Sequence, residues 1–261
     1  MPSNRSESEQ GHRSTNRNRQ VTYAFGTVLL LLVGAAVFWK LRGASMYQQW
    51  MNNRLMDKAE QYLKAGKFPD ATTAARRLFR QDPSNIRAMK VLAQVAEWMR
   101  RRDAMAWRKQ IADLDSGHPE NLIDLANTAI QFNDLTMARD ALARFPEGLR
   151  DSNFYYNQAA GAVFFGFRDM VRSEHHFAQA ARLQPTNELA QMNLARLRIQ
   201  SSDDRLRTQA RETLSRIPAS SPNYGTAVGI LARDFIARGD IKGAGTYTRI
   251  LVNSTNTPFS E

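Results

Sequence analysis

From about residue 48 onward, apolar side chains recur at the three-to-four spacing of helix faces, interrupted by short polar turns. Small residues mark the same place in successive stretches: Ala59, Ala93, Ala126, Gly161, Ala195 and Ala232, at intervals of 34, 33, 35, 34 and 37. A second small residue follows twelve positions later in four of the six stretches, at Ala71, Ala138, Ser173 and Ala244; the other two carry Met105 and Ala210. Small residues on facing helices let two axes approach to about 8 Å. The pattern therefore predicts an all-α chain of about six helix-turn-helix units, each an antiparallel pair.

The turns support that division. Gly66-Lys67, Asn133-Asp134, Arg168-Asp169 and Gly239-Asp240 occupy equivalent places inside the units, and Gly and Asn tolerate the left-handed backbone that ends a first helix. Between units stand Asp82-Pro83-Ser84-Asn85, His118-Pro119-Glu120-Asn121, Gln184-Pro185-Thr186-Asn187 and Ser221-Pro222-Asn223. Proline cannot continue a helix but suits the start of one. Asp151-Ser152-Asn153 lacks the proline and offers N-cap chemistry instead.

At these residues the chain resembles the tetratricopeptide repeat (TPR) family. The first unit, AEQYLKAGKFPDATTAARRLFRQDPSN, and the fourth carry it best. In the fourth, Gly161, Phe164, Ser173, Phe177, Ala180 and Pro185 match the family's small, aromatic and proline positions. The second unit departs, with Met105 and Lys109 where small and aromatic residues are usual, and the fifth is expected to have a lengthened turn from Ser201 to Arg207. The resemblance implies a right-handed α-solenoid.

A different pattern precedes the array. Residues 1–20 are rich in Ser, Asn, Arg, Gln and Gly, which predicts a disordered basic tail. Val21 to Trp39 then run for nineteen residues without a charge, nearly the length of a hydrocarbon core, with Tyr23 and Trp39 near the ends and Lys40 and Arg42 closing the run. A single transmembrane helix over 21–41, an uncleaved signal anchor, is expected ahead of a repeat domain over 42–258. Gly43-Ala44-Ser45 would suit a cleaved signal peptide, but Lys40 and Arg42 fall where such a site is uncharged. Basic residues nearly tie across the span. A short basic tail ahead of a single span stays cytoplasmic by preference, which places the array outside the cytoplasm, in the periplasm of a diderm cell.

Composition narrows the chemistry. The chain has no cysteine, so thiolate catalysis, disulfides and Cys-bound metals are excluded. Net charge is +11, of which the first twenty residues carry +2, and acidic residues are interspersed through the rest. His175 and His176 are adjacent, about 100° apart on a helix, and do not form an i, i+4 metal pair. Asp203 and Asp204 read as solvated residues of the lengthened turn. Without a phosphate loop, nucleophile elbow or metal motif, neither an enzyme nor a cofactor is expected.

In the TPR family first helices line a concave groove. Carried onto this sequence, groove-facing places are Arg87, Lys90, Gln94 and Trp98, then Ile123, Asn127 and Gln131, then Tyr155, Gln158 and Phe165, and finally Arg196 and Arg233. Aromatic anchors beside cations and amides would suit an extended or acidic peptide; Tyr155 and Phe165 could equally serve only to pack neighbouring units. A Lys-Asn carboxylate clamp like that of some family members is not expected, because Gln94 and Asp124 stand where Asn belongs. The sixth unit ends near Val252 without a polar capping helix, so Tyr247, Ile250 and Leu251 are expected to be uncovered or capped by a partner or second copy. The expected device is a membrane-anchored, non-catalytic scaffold for protein or peptide partners. The alternatives are a periplasmic chaperone or assembly factor for exported proteins, and a basic array for anionic lipid or nucleic acid.

Overall fold

The computed structural model describes residues 27–255. The expected tail over 1–20, the start of the apolar run at 21–26 and the last residues of the repeat domain, 256–258, lie outside them. Among the described residues every regular element is helical. Twelve helices form the array: α1 (Ala44–Lys64), α2 (Phe68–Gln81), α3 (Ile86–Trp98), α4 (Asp103–Leu114), α5 (Glu120–Gln131), α6 (Leu135–Ala143), α7 (Phe154–Gly166), α8 (Met170–Leu183), α9 (Glu188–Arg198), α10 (Asp204–Ser215), α11 (Tyr224–Ala237) and α12 (Ile241–Thr255). Five of the six expected hairpins pack as α1 on α2, α5 on α6, α7 on α8, α9 on α10 and α11 on α12; in the remaining one, Arg108 of α4 is tied to Glu97 of α3 at 2.7 Å.

The chain divides into two compact units, up to Ala88 and from Met89. In the first, residues 27–38 are helical and continue through a π-helical turn, Trp39–Gly43, into α1. Among the described residues no helix is both long and apolar enough to cross a membrane; the expected span is described only from residue 27 on, where Leu29 to Leu32 are all exposed. Helix α1 packs on α2. Ala59, Ala71 and Ala75 are fully covered between them, with Met56 and Leu78.

In the second unit the same rule repeats. Ala93, Met105, Ala126, Ala138, Gly161, Ser173, Ala195, Ala210, Ala232 and Ala244 are all buried. Hairpin four shows the reason for small residues directly: Ser173 Oγ donates to the carbonyl of Gly161 across the pair at 2.8 Å. A Cβ on Gly161 would stand 2.6 Å from Phe177 Cδ1, closer than packed carbons come. Successive hairpins share their cores. Phe145 and Tyr156 stack at 5.1 Å within a cluster drawn from α4 to α7; Phe177, Ala181, Ala190 and Leu194 join α8 to α9; Met192, Leu214 and Leu231 belong to a third cluster spanning α9 to α11.

Turn geometry follows the sequence register closely. The residue seven places after each small residue has positive φ in five hairpins: Gly66 (69°), Arg100 (54°), Asn133 (59°), Arg168 (62°) and Gly239 (73°). Asp134 and Asp169 then accept from Met137 N and Arg172 N, both at 3.0 Å, capping the second helices. Asn153 accepts from Tyr156 N at 2.8 Å, the expected cap where proline is missing. A single helical turn, Glu147–Arg150, precedes it. Arg150 folds back onto the carbonyls of Ala143 and Phe145, both at 3.0 Å, and satisfies the end of α6.

Hairpin five has the expected lengthened turn, but at residues 199–203 rather than from Ser201 to Arg207. Helix α10 begins at Asp204, nine places after Ala195, the same offset as in hairpins one, three, four and six. The turn is longer because α9 stops early, at Arg198. Asp203 is the N-cap, accepting from Arg205 N at 2.8 Å, and Asp204 is the first helical residue. What differs is the twelfth place: Arg207 stands where the other hairpins carry Ala, Ser or Met, and the buried alanine comes three residues later, at Ala210. At the sixth hairpin, Tyr247, Ile250 and Leu251 are part-buried rather than uncovered, with Tyr247 stacked on Phe235 at 5.2 Å.

Candidate functional site, an arginine-lined cleft

The exception at Arg207 coincides with a cleft of about 630 Å³ in the second unit. Phe165 enters from the end of α7, Arg196 and Ile199 from the end of α9, Arg207 and Arg211 from α10, and Ile230, Arg233, Asp234, Ala237 and Arg238 from α11. The smaller hydrophobic residues and Phe165 give it apolar walls. Five guanidinium groups face it, against the single carboxylate of Asp234.

Hydrogen bonding divides these cations into two sets. Asp234, with only 8% of its side chain exposed, accepts from Arg211 at 2.8 and 3.1 Å and pairs with Arg238 at 3.2 Å. Its hydrogen bonds hold the Arg211 guanidinium above its usual pKa despite partial burial. Arg207 pairs with Asp204 and donates to the carbonyl of Ser201 at 2.7 Å. Arg196 and Arg233 have no carboxylate partner among the described residues. The Arg196 guanidinium carbon lies over Phe165, 4.2 Å from the ring centre. Burial, and then the charge of Arg233, pull its pKa below the usual guanidinium value. Two cations thus face each other's field without a counter-ion.

Of the groove residues expected from sequence, the structure brings Phe165, Arg196 and Arg233 together in this cleft. Gln158 lies two helical turns before Phe165 on α7; its Oε1 accepts from Asn193 of α9 at 2.9 Å while its Nε2 is buried without a partner. Tyr155, Asn127, Gln131, Gln94 and Trp98 stand exposed on the first helices α7, α5 and α3, and Tyr155 meets Phe154 edge-on. Lys90 is half-buried, near enough to Asp115 and Asp124 to act on both carboxylates. Arg87, in the first unit, is tied to Glu60 at 2.9 Å and Asp57 at 3.3 Å. Ile123 is a correction: it is buried in the core, because its face of α5 turns toward the neighbouring helices.

A second charged cluster holds α3, α4 and α5 together. Arg108 is 7% exposed and donates to Glu97 at 2.7 and 3.0 Å and to Asp124 at 2.9 Å, while Thr128 donates to Glu97 at 2.6 Å. Burial lowers the Arg108 pKa, but the two carboxylates outweigh it and the net shift is upward. Burial raises that of Asp124. Asp124 is therefore already committed to Arg108. Elsewhere, His176 is half-buried, stacked on Phe164 with ring centres 5.4 Å apart and bonded through Nδ1 to Asn157 Oδ1 at 2.9 Å.

The sequence reading missed Arg207, Arg211, Asp234 and Arg238. Arg207 could have been found, since a long cation interrupts the twelve-residue register of small residues. Asp234 and Arg238 are an i, i+4 pair on α11, but nothing in the sequence brings Arg211 to them.

No family model matches the chain, and no curated protein matches it. Solved structures do. The chain is similar to a type IV pilus biogenesis factor, PilW, at 17% identity and TM-score 0.64, covering 81% of this chain and 96% of that one. It is also similar to PilF of Pseudomonas aeruginosa at 17% identity and TM-score 0.61, over 77% and 90% of the two chains. A tetratricopeptide repeat protein from Parabacteroides merdae aligns at 12% identity and TM-score 0.61, over 80% of each. The array has the fold of tetratricopeptide repeat proteins.

Proposed function

We propose that the chain is a membrane-tethered, non-catalytic scaffold that binds an extended segment of a partner protein along the exposed faces of its first helices. The observation that carries this reading is the convergence of α7, α9 and α11 on one cleft, with Phe165, Arg196 and Arg233 available there. A cleft of this size, with apolar walls beside its arginines, has room for peptide side chains. Exposed Asn127, Gln131 and Tyr155 on earlier first helices extend the same kind of surface. The tether rests on the uncharged run Val21 to Trp39 and its basic border at Lys40 and Arg42. Its preferred orientation puts the array outside the cytoplasm.

A role as an assembly factor for exported proteins is the second reading. It is favoured by the likeness in fold to PilW, described as a widely conserved type IV pilus biogenesis factor. Both readings need the partner to lie along the first helices. A photo-crosslinking amino acid placed at Gln131 or Phe165 should capture discrete protein partners, whereas placement at Arg182, exposed on second helix α8, should not. Equal capture from all three positions would remove the first-helix surface as the binding face. Protease digestion of a C-terminal tag in cells with a permeabilised outer membrane and a sealed inner one tests the orientation.

A further inference from the structure

We infer that the cleft around Arg196 and Arg233 is a receptor for an acidic peptide segment, two neighbouring carboxylate side chains flanked by an apolar one. This rests on the peptide-binding reading above and specifies the chemistry of its ligand. Three of the five cleft arginines are met from within the chain, by Asp234 and Asp204. Arg196 and Arg233 meet no carboxylate among the described residues, so the site holds an excess of positive charge with two guanidinium forks able to donate to incoming carboxylates. Mutual repulsion between Arg196 and Arg233 is what an incoming anion relieves; burial first, and the charge of Arg233 second, hold the pKa of Arg196 below its usual value.

The walls decide between kinds of anion. Ile199, Ile230 and Ala237 offer apolar contact beside the cations, which a peptide carrying an aliphatic residue uses and a bare inorganic anion does not. A lipid surface or a nucleic acid duplex would instead require a basic face extended over the surface. Phe165 beneath Arg196 restrains the guanidinium, 4.2 Å from the ring centre, so less side-chain freedom is left to lose on binding.

The register explains why this site occurs here in the array. In hairpin four the twelfth residue, Ser173, is fully buried and bonded to Gly161. In hairpin five that place is filled by Arg207, whose head group is turned to Ser201 and Asp204 at the cleft. A space that small residues would close is held open by a cation.

The test uses the full chain in detergent micelles and two capped, fluorescein-labelled peptides, one containing Leu-Asp-Glu-Leu and the other its uncharged counterpart Leu-Asn-Gln-Leu. Fluorescence anisotropy should show the acidic peptide binding at least tenfold more tightly. The double variant Arg196→Gln, Arg233→Gln should reduce the acidic peptide to the level of the uncharged one, with helical circular dichroism unchanged. Because both side chains reach the cleft surface, the variant is expected to fold; if it does not, Arg233→Lys, which keeps the charge and loses the fork, should give a partial loss. Equal affinity for the two peptides overturns the acidic specificity while leaving the scaffold reading to its crosslinking test. Absence of binding by both peptides also overturns it. Inorganic phosphate displacing the acidic peptide as well as an unlabelled acidic peptide does would show a general small-anion site and overturn the peptide assignment.

Discussion

Hairpins four and five carry the same two-helix plan and differ at the turn and at the twelfth register position. Hairpin four closes: Gly161 and Ser173 bring α7 and α8 into hydrogen-bonding distance, and Phe177 packs over the glycine. Hairpin five stays open: its first helix ends two residues early, Arg207 replaces the small residue, and a cleft of about 630 Å³ forms against α11. The lesson is that a repeat array builds a site by relaxing its packing rule at one unit while its neighbours keep the frame rigid.

The largest effect should come from breaking the closed hairpin. Gly161→Val puts carbon where Phe177 already stands, and unfolding by urea should show a loss of about 3 kcal/mol, the upper range for overpacking. A milder change would mean that α7 and α8 separate easily and that hairpin four is not the rigid frame claimed. In the open hairpin the sensitive group is Asp234. Asp234→Ala leaves Arg211 and Arg238 without their carboxylate in a part-enclosed cleft; a loss of about 2 kcal/mol is expected, below the 3–5 typical of fully buried pairs because both arginines are partly exposed.

Arg207→Ala sharpens the comparison by giving hairpin five the residue that hairpin four's register calls for. Stability should change by less than about 1 kcal/mol, while affinity for the acidic peptide should fall about tenfold as the cleft narrows and loses a cation. Unchanged affinity would show that Arg207 does not hold the cleft open. Relief of backbone strain should be smaller. Arg168→Gly, at φ 62° and exposed, should raise the urea midpoint by a stability equivalent of about 0.5–1 kcal/mol.

The smallest effect is a pH dependence confined to hairpin four. Burial first, then the charges of His175 and Arg172, lower the pKa of His176, while Asp151 acts in the opposite sense. A histidine lowered in the folded state stabilises the fold above its unfolded value of about 6.5 and loses that contribution as pH falls through the folded value. Stability should therefore decline between pH 7.5 and 5, and His176→Gln should flatten that part of the curve. An unchanged slope in the variant would assign the decline to other groups.

The periodic parts of the fold were legible because one position serves one physical purpose in every unit. The small residues at Ala59, Ala126 and Gly161 had to lie between helices, and the residues seven places on had to turn the chain; Arg100 and Arg168 adopt that left-handed backbone even with bulky side chains. The candidate site was legible only in part. Phe165, Arg196 and Arg233 could be placed on first helices by register, but Ile123 could not be told from an exposed neighbour. Its burial depends on how α5 is rotated against α4 and α7.

By itself the sequence determined the helical class, the number and period of the hairpins, the turn positions and the uncharged run before them, since each depends on residues a few places apart. Tertiary structure alone decided which cations share a counter-ion. Arg211 meets Asp234 from 23 residues away, and Arg108 meets Asp124 from 16; such pairings depend on the relative placement of stacked helices, which the period constrains but does not fix. The freedom of Arg196 and Arg233 is a consequence of those pairings, because the one carboxylate within the cleft is taken by Arg211 and Arg238.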